Sequence, residues 1–305
     1  MADAFSLLLP VYGQDQPQLV RRAFRSSVQE QVRRPAEVVL VQDGAVDGRL
    51  ASALDDLESD SPVPVRRVRL SRSVGLAQAL QSGLAACEHD IVARMDADDV
   101  SLPDRFARQV PLLEGGVDLV GSALVEIGAD EAQRGLLRIP PLTHEAIARQ
   151  ARWRSPFNHP TVVYRRSAVL AAGGYRQLSL MEDYWLFARM IAGGARTANL
   201  AEPLVLYRVG AGAYERRGGL RLLRSEVQLQ FHLYGERFLS GRELVRNLLV
   251  RGGYRLTPVA LRRAAYRSLL TTRADEPGDP VTSPPDSPPP GGAQVRQPVG
   301  DVGSR

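Results

Sequence analysis

Glu37-Val38-Val39-Leu40-Val41-Gln42 is an apolar run of strand length with no polar alternation, and the pattern repeats on both sides of it. Upstream lie the apolar run Phe5-Ser6-Leu7-Leu8-Leu9-Pro10 and, over Gln18–Gln31, the helical spacing Leu19, Ala23, Val28. Downstream come a helix over Leu50–Leu57, a strand over Val65–Leu70, a helix over Gly75–Cys87 and a strand over Asp90–Met95. Strands without alternation are buried on both faces, and strands that alternate with helices of this length form βαβ units around a parallel sheet. Right-handed crossovers then bring the C-terminal ends of these strands to one edge, where open α/β sheets bind ligands.

Beyond this stretch the pattern loosens. An apolar segment covers Val117–Ile127, a helix 143–151, a strand Thr161–Tyr164 and a helix Glu182–Ala192. The expected organisation is one α/β catalytic domain over 1–215, its donor half 1–116 and its acceptor half 117–215. A basic, mostly helical extension follows over 216–273. The remainder, 274–305, holds eight prolines and five glycines with almost no large apolar residues, the composition of a disordered tail.

Composition removes several classes. With 44% hydrophobic and 24% charged residues, the 305-residue chain is neither fibrous nor wholly disordered. Its one cysteine, Cys87, excludes a disulfide framework and a Cys-rich zinc site. No run of 18 apolar residues occurs, and the N-terminus has no basic stretch before its apolar run, so a cytoplasmic protein is expected. All 39 basic residues are arginine. Between Arg208 and Arg273 fourteen of them face four glutamates, so a mildly acidic body carries a basic C-terminal third. Such polarity points to an anionic partner.

The loops after the strands carry the chemistry. They read Pro10-Val11-Tyr12-Gly13, then Gln42-Asp43-Gly44-Ala45-Val46-Asp47-Gly48, then Met95-Asp96-Ala97-Asp98-Asp99. Asp96, Asp98 and Asp99 would repel one another without a cation, and hard oxygen ligands with room for phosphate suit Mg²⁺ or Mn²⁺. The alternative is an acidic turn capping the helix after Ser101.

These three loops and Gly75-Leu-Ala-Gln-Ala-Leu-Gln81-Ser-Gly83, taken in order, resemble the successive motifs of a family 2 glycosyltransferase over about residues 5–215. The resemblance implies a GT-A fold (a Rossmann-like, mostly parallel sheet flanked by helices), a nucleotide-sugar donor and a divalent metal on its diphosphate. By position, Pro10 and Tyr12 would frame the nucleobase and Asp43 would hydrogen-bond it. Asp96 would approach the ribose or sugar, Asp98 would be the metal ligand and Asp99 a support. Leu180-Met-Glu182-Asp183-Tyr, after Gly173-Gly174-Tyr175, would supply the general base of inverting transfer, Asp183, with Glu182 its neighbour; the alternative is an ordinary acidic first turn. The chain departs from the family at Gln42 and Ala45, where Asp and Ser are usual, and at Ser73 and Gln81, where Asn is frequent.

Three segments stay open between two readings. His159, in Pro156-Phe-Asn-His-Pro, lines the acceptor side by resemblance or is a satisfied loop histidine. Arg216 and Arg217 lie in a glycine-hinged loop that would close over the donor diphosphate or serve as a solvated linker. Val245–Leu270 interleaves leucines with arginines, as suits an anionic membrane face or a helical pair packed on the body. The acceptor implied is a saccharide or lipid-linked saccharide, in cell-surface polysaccharide or glycolipid synthesis, with a UDP-sugar as donor. A sugar nucleotidyltransferase would need a phosphate loop after the first strand, which Pro10-Val-Tyr-Gly lacks. A nucleic-acid binder would need a recognition motif among its arginines, and none is evident.

Overall fold

The computed structural model describes residues 3–209, 220–256 and 272–273. The chain divides into two units, Met1–Ala274 and Asp275–Arg305, and all the described elements belong to the first. Strands β1 (Phe5–Tyr12), β2 (Glu37–Asp43), β3 (Val65–Arg69) and β4 (Ile91–Arg94) alternate with helices α1 (Pro17–Val28), α2 (Gly48–Ser59) and α3 (Leu76–Ala86). They pair in parallel in the order β3-β2-β1-β4.

Both faces of β1, β2 and β4 are covered, which is why these strands lack alternation, while β3 at the edge is only partly buried. Leu7 and Leu9 of β1 and Val38 and Leu40 of β2 face Val20, Phe24 and Leu54 of α1 and α2, with Phe106 of α4 (Arg105–Glu114). Leu8, Val39 and Val41 point the other way, against Leu80 and Leu84 of α3 and Leu186 and Phe187 of α7 (Glu182–Ala192). Gly83 lets α3 lie close on the strands, since a Cβ there would collide with Leu8 and Val41.

The second half of the sheet changes direction. β5 (Val100–Ser101) pairs antiparallel with β9 (Thr197–Arg208), and β6 (Leu119–Ile127) pairs antiparallel with β7 (Arg134–Arg138). β8 (Val163–Arg165) runs antiparallel to both β4 and β6, while β6 and β9 are parallel. β10 (Thr272–Arg273) adds an edge beside β7. The sheet is therefore mixed, with the parallel βαβ arrangement confined to the first half.

Helices α5 (His144–Ala151) and α6 (Arg166–Ala171) flank this half. Two C-terminal helices, Leu220–Gly235 and Gly241–Leu256, belong to the same unit. Leu222, Leu229 and Leu233 of the first pack on Tyr184, Trp185 and Ala188 of α7. Trp185 stacks on His232 with ring centroids 4.2 Å apart, and its indole N–H donates to Glu236. No helix among the described residues is long and apolar enough to cross a membrane. Residues 210–219, with Arg216 and Arg217, lie outside the described residues, as do 257–271 and the tail 274–305.

Candidate functional site

The C-terminal ends of β1, β2 and β4 do meet. Pro10, Tyr12, Asp43, Asp96 and Asp98 all line one cavity of about 630 Å³, together with Asp15, Ser73, Gly75 and Leu180. Each loop is held from below. Asp43 closes β2 and accepts the amides of Val74 (2.7 Å) and Gly75 (3.0 Å) and the Ser73 hydroxyl (3.1 Å). Its carboxylate thus fixes the turn into α3 while facing the cavity. Gly44 follows because the strand end and this turn nearly touch. Its φ is +85°, and a Cβ would stand 2.5 Å from the Ser73 nitrogen. Gln42, in place of the more usual acid, is used structurally: it donates to the Gly44 carbonyl and accepts from Arg67.

Asp15 is a member that sequence reasoning did not find. Its Oδ2 accepts the Tyr12 amide (2.9 Å), so it turns back into the cavity floor. Burial pushes its carboxyl up to about 7, against the Tyr12 hydrogen bond, and the charges of Asp98 and Asp96 add to the rise. The only sequence signal is an acid three residues after Tyr12, a spacing common in turns. Asp98 is likewise raised, by loss of solvent and then by Asp96.

Asp99 is fully buried and aimed away from the cavity. Its Oδ1 accepts the Arg208 amide (2.8 Å), while Arg208 Nε donates to the Asp98 carbonyl (2.9 Å), so the end of β9 clamps the acidic loop. Arg105, from the segment that could have been a simple cap, is also fully buried. It donates to the carbonyls of Arg94 (2.6 Å) and Pro160 (3.1 Å), tying the acidic loop to the turn that carries His159. Nothing in the sequence distinguishes this arginine from the other thirty-eight.

A second cavity, of about 460 Å³, adjoins the first. Arg94, Asp96, Arg138, His159, Leu180, Asp183, Tyr184 and Tyr207 are among its lining residues. Asp96 and Leu180 line both cavities, so they form the ridge between them. Leu180 holds φ at +65°, a left-handed conformation rare for a branched side chain. Arg94 lies behind the ridge, 2% exposed and ion-paired with Asp96.

Glu182 and Asp183 open α7, as expected. Asp183 lines the second cavity and Glu182 lies beside it. Burial pushes Glu182 up to about 7, helped by Asp183; burial also raises Asp183, against its backbone hydrogen bonds and Arg94. His159 is not an idle loop residue: its Nε2 meets the Tyr175 hydroxyl at 3.1 Å, and its Nδ1 is 4.0 Å from Asp183 Oδ2. The arrangement sets the Asp183 carboxylate on one side of a ridge and the Asp15 and Asp98 carboxylates on the other, with Asp96 on the ridge itself.

Among the described residues no three His, Cys, Asp or Glu side chains form a closed metal cage. Asp15 and Asp98 present carboxylate oxygens to the larger cavity, the donor type that hard cations take.

The profile described as Glycosyl transferase family 2 matches residues 6–173. A protein of Haemophilus influenzae described as an uncharacterized glycosyltransferase is 36% identical over 87% of this chain and 98% of its own length. The UDP-Gal:alpha-D-GlcNAc-diphosphoundecaprenol beta-1,3-galactosyltransferase of Escherichia coli is 30% identical over 87% of this chain and 96% of its own. Among solved structures, the mannosyltransferase PcManGT of Pyrobaculum calidifontis, in complex with GDP-Man and Mn²⁺, superposes with a TM-score of 0.60 at 18% identity, covering 88% of this chain and 76% of that one. Residues 1–349 of TarS from S. aureus in complex with UDP-GlcNAc give 0.59 at 14% identity, covering 86% and 75%.

Proposed function

The chain belongs to glycosyl transferase family 2 and has the GT-A fold; on that premise we propose that it transfers a sugar, with inversion, from a nucleoside-diphosphate sugar in the larger cavity to a saccharide hydroxyl in the smaller one. The observation that carries this reading is the shared ridge. Asp96 and Leu180 face both cavities, so a donor sugar and an acceptor hydroxyl would meet there. Tyr12 offers a half-exposed ring to the base, and Pro10 and Asp43 form the wall beside it. Asp183, across the ridge, would take the hydroxyl proton as the oxygen attacks the anomeric carbon, with Glu182 tuning its charge. Asp98 would hold Mn²⁺ or Mg²⁺, which when bound neutralises charge gathering on the departing diphosphate. Arg216 and Arg217, which follow β9 in the sequence, would add to that.

Uridine is favoured because UDP-sugars are named for the Escherichia coli relative and for TarS. The acceptor we favour is a diphosphate-linked lipid saccharide in cell-surface polysaccharide or glycolipid synthesis, by analogy with that relative. Val245, Leu249 and Val250 are half or more exposed on the second C-terminal helix, beside exposed Arg242 and Arg246. That face suits peripheral contact with the anionic inner surface of a membrane. The nucleotidyltransferase and nucleic-acid readings give way to family membership. The test is release of nucleoside diphosphate across a panel of UDP-, GDP- and dTDP-sugars with Mn²⁺ or Mg²⁺, using a short-chain prenyl-diphosphate N-acetylglucosamine as acceptor. Acceptor-dependent release from a UDP-sugar supports the reading; release from none of them, with donors bound, overturns it.

A further inference from the structure

Tyr175, His159 and Asp183 form a row that the resemblance did not assign. Tyr175 is anchored from the donor side: its amide donates to Gln81 Oε1 of α3 (2.9 Å), and Gly174 before it holds φ +66° with no room for a Cβ beside Gln81. Its hydroxyl reaches His159 Nε2. The imidazole packs edge-on against Phe187, centroids 5.8 Å apart, and Phe187 stands one turn after Asp183 on the same face of α7. The ring is thus gripped on one side by a hydroxyl and on another by the helix that bears the carboxylate.

We propose that His159 is a positioning residue for Asp183: the Tyr175 hydroxyl donates to Nε2, which leaves Nδ1–H as the tautomer and aims it at the carboxylate. The inference rests on Asp183 being the base. A carboxylate facing Nδ1 selects the protonated nitrogen there, because a bare lone pair would repel it. The 4.0 Å separation is about 1 Å longer than an ordinary N–H···O bond, a gap that a small rotation of the Asp183 side chain closes. Burial and then the Arg94 guanidinium hold His159 well below its ordinary pKa, so the ring orients the base and does not compete for the proton. The other charged groups around Asp183 are Glu182 on its own helix, Asp96 and Arg94 at the ridge, and Arg138 and Arg251 across the cavity, the last ion-paired with Glu226.

Nitrogen-15 spectra of the full chain's four histidines, assigned by loss of one ring in His159→Asn, read the tautomer directly. The expected wild-type result is a protonated Nδ1 and a bare Nε2 between about pH 6 and 8; protonation at Nε2 overturns the proposal. Carbon-13 titration of the Asp183 carboxyl should move up by about one unit in His159→Leu, the loss of one hydrogen bond to a charged group, and return in His159→Asn, whose amide N–H stands near Nδ1. An unmoved titration in folded His159→Leu overturns it too. Should that variant not fold, Tyr175→Phe should shift the bare Nε2 resonance, which loses its hydrogen bond, and an unmoved Nε2 resonance removes the Tyr175 hydroxyl from the arrangement and overturns the proposal. Turnover of Asp183→Asn is read separately: if it survives, the base assignment fails. If it is lost while the His159 readouts do not move, the positioning role alone fails.

Discussion

The Asp43 carboxylate accepts the Val74 amide at 2.7 Å, so the strand end that borders the larger cavity also holds the turn that starts α3. Removing it should therefore cost both stability and binding. Asp43→Ala frees three donors at once, and a hydrogen bond to a charged group contributes about 1.5–3 kcal/mol, not additively. We expect a melting temperature lower by several degrees and UDP affinity reduced about tenfold or more by calorimetry. Unchanged affinity would remove Asp43 from the donor site.

Asp98 should carry the metal dependence alone. In Asp98→Ala, Mn²⁺ should no longer strengthen UDP binding, while in the wild type EDTA should weaken it by a similar factor. Asp98 keeps solvent contact although the cavity partly desolvates its carboxyl, and the bond from Arg208 goes to its backbone carbonyl, so the fold should not suffer. Metal-enhanced binding that persists in the variant would shift the ligand role to another acid.

β1, β2, β4 and their loops were legible because burial on both faces leaves an apolar run, whereas β3, Val65-Arg-Arg-Val-Arg at the sheet edge, is only partly buried and was placed by its position between two helices. The direction of the second half was not legible. β7 and β9 carry charged and polar residues through partly exposed positions, so their pairing depends on neighbours distant in sequence. Site residues at strand ends were readable for the same topological reason. Asp15, Arg105 and His159 were missed or left open because each acts through a partner far along the chain or across a turn. Arg105 meets Pro160, and His159 meets Tyr175 and Asp183, contacts that no periodicity encodes.

The acidic cluster should make the ligand-free protein less stable as pH rises. Asp15 and Glu182 are pushed up to about 7 in the folded chain. Folded protein therefore holds protons that the unfolded chain releases from about pH 4 upward. Their contribution is intact below that pH and is lost as pH passes 7. The fall in melting temperature between pH 5 and 8 should be smaller in Asp15→Asn than in the wild type. An identical slope would show that Asp15 titrates normally.

Leu249 is 71% exposed on a face shared with Val245 and Arg246. If that face meets an anionic bilayer, Leu249→Glu removes a buried leucine and adds repulsion. Partition onto phosphatidylglycerol vesicles should fall about tenfold or more, with melting unchanged. Equal partition of both proteins would exclude this face as the contact.

Asp183 and Glu182 can be told apart by which variant loses rate without losing the donor. Asp183 lines the smaller cavity, and the donor's proposed contacts, Tyr12, Asp43 and Asp98, line the other one. Asp183→Asn keeps the shape of the side chain but not its capacity to take a proton, so kcat should fall by about 10²- to 10⁴-fold. UDP affinity should hold within a factor of about two, because an interaction made in the transition state does not show in ground-state binding. Glu182→Gln removes a carboxyl that is itself raised by the Asp183 charge, so a repulsion between the two acids disappears. Its kcat should stay within about tenfold, and the acid limb of the pH–rate profile should move to lower pH. That sign follows because a base with less like charge beside it ionises more readily. Turnover, calorimetric affinity and melting temperature measured on one preparation separate the cases. A purely structural first turn would lower melting and spare the rate per folded molecule. The reverse ranking of the two variants would make Glu182 the base.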